Sequence, residues 1–358
     1  MRGLPLHLVT EPGAVARLAP LMKEHSVDRT IFVRDPRVSR SFLERCTAGL
    51  REDEFAVVDL PRTGESAKSL VSLQRLLDQI VPYATRDSCI TAVGGGATSN
   101  TAGMAAALLY RGVRLIHIPT TPLGQADAAI GLKQAVNSAQ SKNIYGLYHQ
   151  PLAVLNDLDV TSTAPTGIIR DGLAEIAKVG LAASTEIYEL LLSLADHRLR
   201  TILPEPELGR VVHLAAATKL RGLPDDPFET ADLRLMELGH IAAHALEAAS
   251  GYSISHGAAV AAGLIVEAEY STRQKIARDG DLVAKYRHLM YGRLRFRSSL
   301  PDAPDTSRFV SALAGSNKRG AHGIEITLPV RLGQTCVATL RNYGDLAEAY
   351  RVSLLSDF

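Results

Sequence analysis

The chain has 358 residues, 46% hydrophobic and 22% charged, and its 39 basic and 38 acidic side chains leave a formal net charge of +1. That composition suits a globular protein with room for two domains and gives no electrostatic case for a nucleic-acid or membrane partner. Cys46, Cys89 and Cys336 stand far apart with no Cys-x-x-Cys pair, so neither a disulfide framework nor a thiolate zinc site is suggested. With no apolar run approaching about 18 residues, the reading is a cytoplasmic protein without signal peptide or membrane span.

Short β-rich runs alternate with helical stretches through the first half. TIFVRD (30–35) reads as a strand ending on an Asp, and EFAVVDLP (54–61) as another closed by Pro. SLVSLQRLLDQIV (69–81) carries apolar residues at helical spacing. SCITAV (88–93) is a strand running into a glycine cluster, NTAGMAAALLYRG (100–112) a helix of small residues, and VRLIHIPTT (113–121) a further strand. This alternation predicts a parallel α/β sheet with ligands at the strand carboxyl ends. The segment 119–146 reads as a loop that gathers Asp127, Lys133, Asn137, Lys142 and Asn143 among small residues, a setting suited to an anion. TSTAPTG (161–167) is the natural hinge. Beyond it the stretches are long, Ala/Leu-rich and helical in period. The expected architecture is a Rossmann-like α/β domain over residues 1–165 and an all-α domain over 166–358.

Some of these residues can carry chemistry. A strand followed by Gly94-Gly95-Gly96 and a helix presents backbone N–H groups to an anion, although the spacing is not Gly-x-Gly-x-x-Gly and a tight turn remains an equal reading. His240 and His244 are four apart on one helix face, Glu247 follows three residues later, and His256 opens the next helical stretch. Two or three imidazoles and a carboxylate can hold a divalent metal; two unrelated histidines are the plainer alternative. Glu175 and Lys178, three apart in the apolar GLAEIAKVGL, are costly to bury unless paired or metal-bound. NKRGAHGIEITLPVRLG (317–333) is a basic patch leading into a strand-like run, either a surface loop or a segment that closes on a phosphate.

TGESAK (63–68), GGGATSN (94–100), RGVRLIHIPTT (111–121), QADAAIGLKQAVN (125–137), KNIYG (142–146), GLAEIAK (172–178), GHIAAHALE (239–247) and HG (256–257), in that order, resemble the sugar phosphate cyclase superfamily, whose best-known members are the 3-dehydroquinate synthases. The resemblance spans nearly the whole chain. It implies an NAD-binding α/β domain followed by a helical domain that binds metal and substrate, and a homodimer. NAD would lie along Asp35, Glu65, Lys68, the Gly94–Gly96 turn, Thr120, Thr121, Lys133, Lys142, Thr161 and Thr163, with Asn100 near the nicotinamide. A zinc or cobalt ion would sit on Glu175, His240 and His256, with His244 on the substrate side. Lys133 and Lys142 would stabilise oxyanions beside Asp127 and Asn143. Lys178, Lys219, His244 and Lys318 would handle phosphate and protons, and Glu237 would serve a substrate hydroxyl.

The implied reaction lends a hydride to NAD and thereby creates a ketone that acidifies the adjacent C–H. Phosphate is then eliminated, the hydride returns, and an intramolecular aldol closes the carbocycle. Within the superfamily, dehydroquinate synthases carry Asp at the position of Asn100 and Asn at that of Glu237. They also carry a carboxylate-reading Arg where this chain has Leu233, with Arg234 one place off. Asn100, LKQAVN (132–137), Glu237 and NKRG (317–320) resemble instead the 2-deoxy-scyllo-inosose synthases, which cyclise glucose 6-phosphate in aminocyclitol antibiotic biosynthesis. AEIAKV (174–179) stands nearer the dehydroquinate pattern. The open alternatives are a dehydroquinate synthase or its amino variant, a valiolone-type cyclase (ranked lower because His244 is kept), an iron-type alcohol or glycerol dehydrogenase, and a catalytically silent homologue.

Overall fold

Apolar runs flanked by turn residues pair into one parallel sheet. In a computed structural model that describes residues 6–139, 142–161, 163–193, 205–229, 236–300, 305–316, 319–320 and 322–355, the chain divides into two units. One is Met1–Ile169 with Leu208–Ala216, and the other is Arg170–Glu207 with Ala217–Phe358. The first unit carries strands β1 (His7–Glu11), β2 (Thr30–Arg34), β3 (Phe55–Asp59), β4 (Cys89–Gly94), β5 (Arg114–Pro119), β6 (Lys133–Val136), β7 (Tyr145–Tyr148) and β8 (Ala153–Asp157). Six of them form a sheet in the order β1-β8-β5-β4-β2-β3, with every pairing parallel.

Side chains alternate across this sheet, so each face has its own core. Ile31, Val33, Ile90 and Ala92 pack with Leu73 and Leu76 of helix α3 (Leu70–Ile80) and with Ala102 and Ala105 of helix α4 (Gly96–Leu108). Phe32, Cys89, Val93 and Ile116 face the other way, toward Leu18 and Phe42. Because both faces are covered, β4 is buried along its whole length and is apolar apart from Thr91. β3 lies on one side of β2 and β4 on the other, so the strand order reverses between β2 and β4. Ligands of open parallel sheets gather at the carboxyl ends beside such a reversal. Here those ends are Asp35 and Gly94.

Three expectations need correction. The small-residue helix begins at Gly96, not near Asn100, because the strand ends at Gly94 and Gly95 supplies an extended N-cap (φ −80, ψ −173). The segment 119–146 is not a plain loop: it contains a wide helical turn at Gly124–Ala128 and the antiparallel hairpin β6–β7. The second unit is mainly helical but not all-α. Its helices include α6 (Thr166–Ala183, from Arg170 on), α7 (Thr185–Ser193), α9 (His240–Ala249) and α10 (His256–Arg273), together with the two ends of α8 (Glu205–Gly222), whose Leu208–Ala216 stretch belongs to the first unit. It also holds a three-stranded antiparallel sheet of β9 (Arg319–Gly320), β10 (Gly323–Arg331) and β11 (Gln334–Leu340). Alternation in GIEITLPVR drives that sheet, and Gly333, at φ +74, turns the β10–β11 hairpin where a side chain would be strained. Among the described residues, no helix is long and apolar enough to cross a membrane.

Candidate nucleotide site and metal centre

In the first unit the β4–α4 turn is shaped by what it cannot accommodate. A Cβ on Gly94 would meet the Thr98 hydroxyl, stand 2.8 Å from Thr98 Cβ and stand 3.0 Å from Asp35 Cβ. Only hydrogen fits there, so the backbone of the turn stays bare. No side chain caps α4, and its N-terminal dipole faces the turn. The buried Thr98 hydroxyl has no hydrogen-bond partner among the described residues. An uncapped helix start, a bare glycine turn and an orphaned hydroxyl fit an anionic group such as a dinucleotide pyrophosphate.

Asp35 closes β2 directly beside this turn, and its amide donates to the Val93 carbonyl at 2.9 Å. Its carboxylate is gripped by Arg37, from Nε at 3.0 Å and from Nη2 at 2.7 Å. Burial would raise the Asp35 pKa, but these bonds outweigh it and hold the carboxyl below its ordinary value. Thr120 donates its amide to the Gly94 carbonyl at 2.9 Å, and the Thr121 hydroxyl accepts from the Gly124 amide at 3.2 Å. Asn100 is committed to the scaffold: its amide nitrogen donates to Gly96 O at 2.9 Å, and its oxygen accepts from the Ala135 amide at 3.0 Å. It therefore ties α4 to the strand that carries the exposed Lys133.

A second polar cluster joins Lys68 to Asn143 by a hydrogen bond and places Glu65 3.8 Å from the Lys68 ammonium. Asn137 links the group by donating to Glu65 at 2.7 Å and accepting from the Asn143 amide at 2.9 Å. Lys142 is half-buried next to this cluster in sequence, and Asp127 lies half-buried in the Gly124–Ala128 turn. The Thr161 and Thr163 hydroxyls are spent locally, on the carbonyls of Asp157 at 3.2 Å and Val160 at 2.7 Å.

In the second unit, Glu175 on α6, His240 at the start of α9 and His256 at the start of α10 bring one donor atom each within 4.8 Å of one another. Glu175 Oε1 lies 3.0 Å from His256 Nε2 and 3.5 Å from His240 Nε2, while its other oxygen is 2.6 Å from Lys178 Nζ. Glu175 and Lys178 are respectively 2% and 1% exposed, so each charge depends on the other for compensation. Burial would raise the Glu175 carboxyl, but Lys178, His240 and His256 together hold it well below its usual range. His256 also faces Glu247, Nδ1 to Oε1, at 3.3 Å. Burial would lower the His256 pKa, yet the two carboxylates raise it to about 10. Two imidazole nitrogens and a carboxylate oxygen, one imidazole being held by a further carboxylate, are a donor set suited to zinc or cobalt.

His244 comes one turn after His240, with ring centroids 5.5 Å apart, and its ring stacks at 6.4 Å on that of His256. Lys219 is buried and pairs with Glu229 at 3.7 Å. Glu237, half-buried, precedes α9 by three residues. Lys318 lies outside the described residues, as does the stretch containing Leu233 and Arg234.

The chain is similar to known proteins over most of its length. Residues 58–171 match the family model described as 3-dehydroquinate synthase N-terminal, and residues 172–316 match 3-dehydroquinate synthase C-terminal. A 2-deoxy-scyllo-inosose synthase of Streptomyces kanamyceticus is 34% identical over 314 residues, covering 86% of this chain and 77% of that protein. The chain belongs to the dehydroquinate synthase-like sugar phosphate cyclases. A 3-dehydroquinate synthase of Symbiobacterium thermophilum is also similar, at 32% identity over 332 residues and 91% of both chains. A solved 2-deoxy-scyllo-inosose synthase, complexed with carbaglucose-6-phosphate, NAD+ and Co2+, superposes with TM-score 0.86 at 25% identity over 96% of each chain.

Within this cyclase fold, sequence reasoning missed several groups around the site. Arg37 is the partner of Asp35, only two residues away in VRDPRV. Thr98 is the orphaned hydroxyl of the glycine turn, hidden among other small residues. Glu247 was legible by helical spacing, but as a metal ligand; it stands instead behind His256. Glu229, which pairs with Lys219, gave no sequence signal of its own.

Proposed function

We propose that the protein is an NAD- and metal-dependent sugar phosphate cyclase that converts glucose 6-phosphate to 2-deoxy-scyllo-inosose with elimination of phosphate. The observation that carries this reading is the convergence of Glu175, His240 and His256, with His244 and Lys178 against them. When bound, NAD supplies a reversible hydride acceptor, and a divalent cation supplies Lewis acidity at substrate hydroxyls. Glu175, His240 and His256 would hold the cation, three protein ligands leaving coordination positions for substrate oxygens. Lys178 keeps Glu175 ionised. His244, on the same helix face as His240, holds or passes a proton near the departing phosphate. Lys219 and Lys318 bind that phosphate.

Lys133, Lys142, Asp127 and Asn143 orient hydroxyls and stabilise developing oxyanions, and Glu237 exchanges a proton with a hydroxyl. The dinucleotide would be held by Asp35, Glu65, Lys68, Gly94–Gly96, Thr120 and Thr121, with Thr161 and Thr163 lining its far side. Asn100 contributes by fixing the strand of Lys133 against α4. Leu233, where dehydroquinate synthases read a carboxylate, supports a substrate without one. We extend the reading to a cytoplasmic homodimer serving aminocyclitol antibiotic biosynthesis; the likeness to the inosose synthases supports this part.

The test is to offer glucose 6-phosphate or the seven-carbon heptulosonate phosphate with NAD+ and Co2+ and follow phosphate release. Release from glucose 6-phosphate, without net NADH, is expected. Turnover of the heptulosonate alone would make the chain a dehydroquinate synthase, and NADH accumulating with a simple polyol would make it a dehydrogenase.

A further inference from the structure

Both imidazoles of the metal centre stand on the first residue of a helix, which is where a helix frays most readily. Neither helix start is left to itself. Before His240, the N-cap Gly239 offers no side chain and sits at φ +82. Glu267, from α10, takes over the cap: Oε2 accepts from the Gly239 amide at 2.5 Å, and Oε1 from the Ala242 amide at 3.1 Å. The Ile241 amide adds to the same carboxylate, which is wholly buried. Burial pushes Glu267 up to about 8 while these amides pull it down. The helices cross here almost backbone to backbone, since a Cβ on Gly263 would run into the Gly239 carbonyl and come within 2.8 Å of the Ala243 amide.

α10 is held in turn by α6. The Ser255 hydroxyl accepts from the Ala258 amide at 3.3 Å and donates to Asp171 Oδ1 at 2.7 Å. Burial pushes the Asp171 carboxyl above its ordinary value, while bonds from the Ser255 hydroxyl and the Gly257 amide pull it down, and a Cβ on Gly257 would stand 2.6 Å from Asp171 Oδ1. Asp171 lies one helical turn before the ligand Glu175. The connections therefore run in series. α6 supplies Glu175 and, through Asp171, fixes the start of α10; α10 supplies His256 and, through Glu267, fixes the start of α9; α9 supplies His240.

We propose that Asp171 and Glu267 are positioning residues of the metal centre, carboxylates that bind no metal but set the separation of the two imidazoles by clamping the helix starts that bear them. The proposal rests on the metal-dependent reading above. Each carboxyl group also lies at the positive end of a helix dipole, which favours acceptor oxygens there. Metal–nitrogen bonds tolerate displacements of only about 0.2 Å, and a frayed first turn moves its first side chain by more than that.

The experiment measures Co2+ affinity and the cobalt visible spectrum in the full-length protein for wild type, Glu267→Gln, Asp171→Asn and the half-buried neighbour Glu269→Gln. NAD affinity serves as the control for folding. An amide can accept but cannot replace a carboxylate shared by several amides. We expect Glu267→Gln to weaken Co2+ binding by about 10- to 100-fold with an altered spectrum, Asp171→Asn to do so less, and Glu269→Gln to match wild type, all with unchanged NAD affinity. Should Glu267→Gln fail to fold, Asp171→Asn carries the measurement. Wild-type affinity and spectrum in the two cap variants overturn the clamp alone. Failure of the wild-type protein to bind Co2+ overturns both the clamp and the metal-dependent reading.

Discussion

Replacing Gly94 with alanine puts a methyl group where the backbone leaves no space. The added carbon would lie 2.8 Å from Thr98 Cβ and 3.0 Å from Asp35 Cβ, against a comfortable carbon–carbon separation of about 3.5 to 4.0 Å. Rotating Thr98 relieves its hydroxyl but not its Cβ, so the first turn of α4 must shift by roughly 0.7 Å or more. Overpacking of this kind costs about 1 to 3 kcal/mol, and for a unit of this size each kcal/mol lowers Tm by about 2 to 4 °C. The same shift moves the amides that face the turn, so NAD binding should weaken at least about tenfold, the equivalent of 1.4 kcal/mol. Gly96→Ala is the control. Its methyl meets Ala128 Cβ at 3.3 Å and Leu123 Cδ2 at 3.6 Å, a tight contact that a small yield of the Ala128 methyl relieves. Calorimetric titration with NAD+ reads the affinity, and because the chain has no Trp, NADH emission provides a second readout with little protein background. Wild-type Tm and NAD affinity in Gly94→Ala, or equal damage from Gly96→Ala, would refute the reasoning.

Other perturbations test separate parts of the account. Glu247→Gln, by loosening His256, should weaken Co2+ binding about 10- to 100-fold without changing NAD affinity, as read by chelator competition. Lys178→Met removes the ammonium 2.6 Å from Glu175 and should cost the metal-free protein about 3 to 5 kcal/mol; added Co2+ should raise its Tm by more than it raises that of wild type. His117, fully buried on β5, has both ring nitrogens without a partner among the described residues, and burial lowers its pKa to about 3. The unfolded chain then binds the extra proton first, so stability is full above about pH 6.5 and falls as pH drops toward 3, by at most about 1.4 kcal/mol per pH unit. His117→Leu should flatten this slope in denaturant titrations at pH 7 and pH 5; an identical slope would show that the imidazole is not held neutral.

The parts of the fold that could be read from the residues are those where burial dictates composition. β2, β4 and β5 begin and end within two residues of the runs that announce them, because strands covered on both faces are mostly apolar. α3 shows its buried stripe. The start of α4 was misplaced because glycines that normally break a helix here open one. β6 and β7 were obscured by Gln134, Ala135 and an exposed Tyr-Gly-Leu-Tyr run, none of which alternates clearly. In the metal centre, the spacing of His240 and His244 was legible, but the placement of His256 and Glu175 against His240 depends on how α6, α9 and α10 pack. The cap from Glu267 reaches back 28 residues and that from Asp171 forward 84, and no local pattern encodes either.

The most direct test is cobalt reconstitution of chelator-stripped protein, following phosphate release from glucose 6-phosphate and NADH absorbance together. Activity should return in proportion to Co2+ up to one equivalent per chain, phosphate should be released with no net NADH, and Glu175→Ala should neither bind the ion nor recover. Full phosphate release by the stripped protein, or undiminished Co2+ binding by Glu175→Ala, would contradict the metal-dependent reading.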